Sequence, residues 1–149
     1  MIYQMSRSWI AGSLMTTIVL CACNRTRTTI KPMEVLSPAQ RYVKEFRDFR
    51  FAEASEMAPN MSAKIESSSS GSCHTLVLIP NDGPSRFILR AQEADPGSGA
   101  SFSWGWSKDS KAIFIKGSHS GLDCSSKIQG GLMVIYTLED SAAWAVPGK

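Results

Sequence analysis

The sequence predicts an α+β chain that is mostly β: an antiparallel meander of about six strands in three hairpins, preceded by one N-terminal helix. Three observations predict it. Apolar residues recur at helical spacing after Ser37-Pro38, short β-rich runs begin at His74, and successive runs are separated by compact turn signals. With 149 residues, 43% hydrophobic and 19% charged, the chain suits one globular domain rather than a disordered one. A formal net charge of +3 is too small to argue for nucleic acid.

The helix comes first. Ser37 is placed to cap free amides, and Pro38 at the first helical position gives up no hydrogen bond. Ala39, Tyr42, Val43, Phe46 and then Phe49 or Arg50 form a stripe expected to dock on a sheet. The helical segment is expected over 37–58, fading between Ala54 and Pro59. A Ser-rich linker is expected over 59–72, on the strength of Ser67-Ser68-Ser69-Ser70-Gly71.

The β-rich part is expected over 73–149. His74 to Ile79 and Arg86 to Ala91 flank Asn81-Asp82-Gly83, a strong turn signal. Ser101 to Trp106 alternates Phe102, Trp104 and Trp106 on one face, and Lys111 to Gly117 returns after a turn at 107–110. Leu132 to Leu138 and Ala142 to Val146 form the third hairpin across Glu139-Asp140-Ser141. Ala94 to Ala100 and Gly117 to Gly131 read as loops.

Ahead of these elements lies a leader. Met1 to Trp9 carries one cation, Arg7, and Ile10 to Leu20 is a short apolar run, as in a secretory signal. It is too short to span a bilayer, which takes about 20 apolar residues. Its end, Leu20-Cys21-Ala22-Cys23, resembles the lipobox of bacterial lipoprotein precursors, with Cys21 where Ser, Thr, Ala or Val is commoner. The resemblance implies a signal peptide over 1–22, cleavage before Cys23, a diacylglycerol on the Cys23 sulfur, and a palmitate-type acyl chain on the new N-terminus. The mature chain would have 127 residues (149 − 22). Residues 23–36 would form a lipid-anchored tether, polar, basic and Thr-rich at its start. From Asn24 to Arg50 the balance is seven cations against three anions, and from Phe51 onward it is eight against ten, so the positive charge lies nearest the membrane. A solvated tether and helix face is the simpler account of that balance, and the favoured one. Asn24 stands where Asp retains enteric lipoproteins at the inner membrane, which points to the outer membrane, facing the periplasm, ahead of the cell membrane.

Within the body, Trp106-Ser107-Lys108-Asp109-Ser110-Lys111-Ala112-Ile113-Phe114-Ile115 resembles the WD-like repeat of bacterial β-propellers. The relatives are the periplasmic propeller of the Tol-Pal system and the propellers of prolyl-oligopeptidase-type enzymes. That repeat reads Trp-Ser-Pro-Asp-Gly-Lys, so Lys108 replaces Pro and Ser110 replaces Gly. The resemblance implies a blade-like sheet in which the Trp closes the inner strand and the Asp bonds back to turn amides. It implies no catalysis, because the hydrolase domain of the enzymes is absent.

Candidate chemistry is sparse. An exported chain meets an oxidising compartment, where Cys73 and Cys124 are expected to pair. The closed loop would span 51 positions (124 − 73), for which chain entropy gives about 4 kcal/mol. Cys73, His74, His119 and Cys124 also make a weaker candidate Zn set, with two adjacent ligands and thiolates open to oxidation. Gly117-Ser118-His119-Ser120-Gly121 has His where a nucleophile elbow needs Ser. Asp82, Asp95, Asp109, Asp123 and Asp140 all fall in turns, where turn chemistry explains them. Trp104, Trp106 and Trp144 are a candidate binding surface, although alternating aromatics more often form core. No cofactor motif is present. The expectation is therefore a membrane-anchored, non-catalytic binding or structural module of the cell envelope. Its partners would be the bilayer and another envelope protein. The alternatives are a small periplasmic hydrolase or metal-binding protein centred on His119 and Cys124, and a remnant of a longer β-propeller protein.

Overall fold

Local sequence first decides which segments are extended. In the computed structural model, residues 29–70, 73–92, 102–119, 121–122 and 130–147 are described. The expected mostly-β fold is what forms, with one short helix. The strands are β1 (Ile30–Lys31), β2 (Ala63–Ser70), β3 (Cys73–Pro80), β4 (Arg86–Gln92), β5 (Ser103–Trp106), β6 (Ala112–His119), β7 (Gly121–Leu122), β8 (Gly130–Thr137) and β9 (Ala142–Ala145). All three expected hairpins are present as antiparallel pairs: β3 with β4, β5 with β6 and β8 with β9.

They do not make a single meander. One sheet has the order β1-β9-β8-β6-β5, with β1 parallel to β9; the other has the order β2-β3-β4-β7. The reason lies in which faces are apolar. Ile113, Ile115, Val134 and Tyr136 on one face of the first sheet pack against Ile65, Leu76, Leu78 and Leu89 of the second. Ala112, Phe114, Ile135 and Trp144, on the opposite face of the first sheet, pack under the helical segment. A sheet apolar on both faces must be covered twice. The molecule is thus layered as helix, inner sheet and outer sheet.

The helical segment is shorter than expected. Pro38–Tyr42 is a 3-10 turn, Val43–Asp48 is the helix α1, and Phe51–Glu53 is a second 3-10 turn, so helix does not continue to 58. The stripe nevertheless docks as expected, with Ala39, Tyr42, Val43 and Phe46 buried on the inner sheet. Phe114 is its hub. The rings of Tyr42, Phe46 and Phe49 meet Phe114 edge-on, at 6.4, 5.5 and 5.2 Å between centroids. Aromatic packing, rather than helix length, fixes the segment. Ser37 does not cap it, because its hydroxyl donates to the Glu34 carbonyl at 2.8 Å.

Two other expectations are corrected. The Ser-rich stretch is not a linker but strand β2, from Ala63 to Ser70, in register with β3 so that Ser68 faces Thr75. Ala63 and Ile65 are buried on one face, and the partner strand holds the polar remainder extended. The expected loop from Gly117 to Gly131 is partly strand: β6 runs to His119, and β8 begins at Gly130, paired with it. Residues 93–101 and 123–129 lie outside the described residues.

Candidate functional site

The residues singled out by sequence separate in space. Cys23 and Cys124 lie outside the described residues, as do the side chain of His119 and the residues Asp95 and Asp123. Cys73 opens β3, is buried, and accepts a hydrogen bond from Arg90 Nε at 3.3 Å. The three tryptophans do not form one surface. Trp104 and Trp106 lie on the inner-sheet face turned to the outer sheet, whereas Trp144 lies on the opposite face, under the helix. Trp106 is 5% exposed and donates its indole N–H to the Glu56 carbonyl at 3.0 Å. Trp144 is 6% exposed and donates to Thr137 Oγ1 at 3.1 Å. Alternation across a strand put both rings inward, and their N–H groups found internal acceptors, so they are core.

The turn between β5 and β6 collects the most polar chemistry. Ser107, fully buried, donates its hydroxyl to Asp109 Oδ1 at 2.7 Å and accepts the Ala112 N–H at 2.9 Å. Asp109 also accepts the Lys111 N–H at 3.0 Å and the Tyr42 hydroxyl at 2.8 Å. Partial burial alone would raise the Asp109 pKa. Hydrogen bonds from Ser107, Tyr42 and the Lys111 backbone, with the Lys111 charge, outweigh it and hold the carboxyl below its ordinary range. Tyr42 moves the other way, raised first by burial and then by its bond to Asp109. Lys108 and Ser110 each have a use in this turn. Lys108 supplies an N–H that proline lacks, donated to Glu45 Oε1 at 2.7 Å. Ser110 adopts φ +61°, where glycine is at ease, and its hydroxyl accepts the Asn60 N–H at 3.1 Å. Thr137 plays a matching part in the β8–β9 turn, with its hydroxyl bonded to Asp140. These hydroxyls hold turns; none stands at an open cleft.

A groove of about 670 Å³ lies beside this turn, between α1 and the end of β5. Phe49 and Trp106 line its apolar part, and its rim carries charges of both signs. Some of those charges are engaged: Arg41 with Glu139 at 3.0 Å, and Arg50 with Glu53 at 3.4 Å. Lys44, Asp48 and Lys108 have no ion pair among the described residues. An open, mixed-charge groove with an aromatic floor suits a contact surface for a polar chain. No cluster of three or more metal-ligating side chains occurs among the described residues. No helix among them is long and apolar enough to cross a membrane. Sequence reasoning missed the groove because its cations and anions alternate along the solvent face of α1, a pattern that any exposed helix shows. No family model, curated protein or solved structure matches the chain.

Proposed function

We propose that this chain is a bacterial lipoprotein precursor whose mature body is a non-catalytic binding or structural module of the cell envelope. Acyl chains on Cys23 would hold it to a bilayer, with the outer membrane favoured by Asn24. The observation that carries the reading is Leu20-Cys21-Ala22-Cys23 at the end of the Ile10–Leu20 apolar run. Each buried methylene contributes about 0.8 kcal/mol, so several chains on one residue anchor stably. The body would contact another envelope component, and the groove beside α1 is the surface best suited to it. Cys73 and Cys124 would be joined. Cys73 pairs across the sheet with Gln92, and Gln92 with Gly121, so Gly121 sits two strands away, roughly 10 Å. Three further residues to Cys124 can bridge that distance.

Cys23→Ala tests the anchor. Cells fed an alkynyl fatty acid should label the parent chain and not the variant. An unlabelled parent, or an equally labelled variant, would defeat the proposal. One observation favours a second reading, a remnant of a longer β-propeller: β5, β6, β8 and β9 lie side by side in one sheet in the order of the chain, with, among the described residues, only the two-residue β7 between β6 and β8 in sequence, and a blade takes four strands.

A further inference from the structure

We infer that the turn at Val35-Leu36 is a second membrane contact, an apolar tip that dips into the bilayer beside the lipid anchor. The inference rests on the lipoprotein reading above. Among the described residues, Leu36 and Val35 are the most exposed large apolar side chains, at 95% and 85%, and they are adjacent. Nothing among the described residues covers them. Turn chemistry does not ask for them either, since the central positions of a turn favour Pro, Asn, Asp, Gly or Ser. The turn is nonetheless held firmly. The Ser37 N–H and hydroxyl both donate to the Glu34 carbonyl, at 3.0 and 2.8 Å, and the Ser37 hydroxyl also lies 3.1 Å from the Met33 sulfur. Ser37 itself is buried against the docked helical segment. A firm turn presenting two bare aliphatic side chains suits insertion into an apolar medium.

The length of the tether says which medium. Ile30 is pinned to β9 beside Ala143, and only seven positions separate it from Cys23 (30 − 23). Seven residues reach at most about 25 Å. A body of this size has a radius of gyration of roughly 14 Å, so the tether is shorter than the body is wide. The root of the tether therefore stays within about 25 Å of the headgroups, and the tip lies only five positions beyond it (35 − 30). Lys31 is exposed close by but its ammonium lies over the Trp144 ring, 5.0 Å from the centroid, and Glu34 must stay at the water side. The contact is thus chiefly apolar.

The test uses the full, lipidated chain in vesicles of phosphatidylethanolamine and phosphatidylglycerol. Leu36→Cys carries an environment-sensitive fluorophore, and Asp82→Cys, in the exposed β3–β4 turn of the outer sheet, carries the same label as a control. Flotation reports the anchor. The label at 36 should be blue-shifted and lose emission to a nitroxide on the lipid chains, while the label at 82 should do neither. Protein that floats with position 36 as wet as position 82 overturns the tip and leaves the anchor standing. Protein that does not float overturns both. A label at 36 that is dry in native membranes yet untouched by the lipid nitroxide assigns the tip to a protein partner and overturns the bilayer contact.

Discussion

Asp109 shows how much a single side chain can coordinate. Its carboxylate joins the β5–β6 turn to the helical layer through Tyr42. Asp109→Ala would leave the buried Ser107 hydroxyl without its acceptor and should cost about 1–2 kcal/mol at neutral pH, read by urea unfolding. The pH dependence follows from the two shifts. The Asp109 contribution is complete above its ordinary value of 3.8 and is lost as pH falls through the lower folded value. The Tyr42 contribution is complete below 10.0 and is lost as pH rises through its higher folded value. The stability gap between the parent and Asp109→Ala should therefore narrow in acid; a gap unchanged in acid would count against this account. Gly105 makes a second prediction. A Cβ there would stand 2.3 and 2.6 Å from ring carbons of Phe49 and 3.0 Å from Ala54 Cβ. Gly105→Ala should cost about 1–3 kcal/mol by overpacking. Its cost should shrink in a Phe49→Ala background, which a double-mutant cycle measures. The turn role of Asp109 was legible, because Trp-Ser-x-Asp ahead of an apolar strand is a local pattern. Its bond to Tyr42, 67 positions away, was not, since no local pattern encodes it.

Among the elements, β2 separates composition from context. Four serines in a row read as a flexible segment, yet the chain there is extended because β3 supplies a complete partner edge. The Ile65 N–H donates at 2.9 Å to the Glu56 carbonyl, away from β3, so the N–H groups at alternate positions, including Ser68, turn toward β3. Ser68→Pro should remove a ladder bond and cost about 1 kcal/mol or more, while Ser67→Pro, with its N–H on the free side, should cost clearly less. Thermal unfolding of the two variants checks this; equal, negligible effects would restore the linker. The three hairpins were legible because alternation and turn residues are local signals. The helix was overestimated because Phe49 and Phe51 continue the apolar stripe after the backbone has left the helix at Phe49. Phe49 follows Phe114, and Phe51 follows Phe46 and Phe49, not the helical period.

At the level of the whole molecule, the division into two sheets was not legible. β4 and β5 are neighbours in sequence, but only the facing of Leu76, Leu78 and Leu89 against Ile113 and Ile115 decides that they part. The tryptophans were legible as aromatic and as alternating, but not as belonging to opposite faces, because that depends on how β9 aligns with β8. The Val35-Leu36 tip was hidden inside a stretch read as tether, where two apolar residues look incidental. The proposed address rests entirely on the first two dozen residues, which lie outside the described residues. The most direct measurement is intact mass spectrometry of the protein taken from its own cells. The account predicts a chain beginning at Cys23, heavier than its sequence by a diacylglycerol and one further acyl group. A chain that still carries residues 1–22, or one that begins at an unmodified residue, would contradict it.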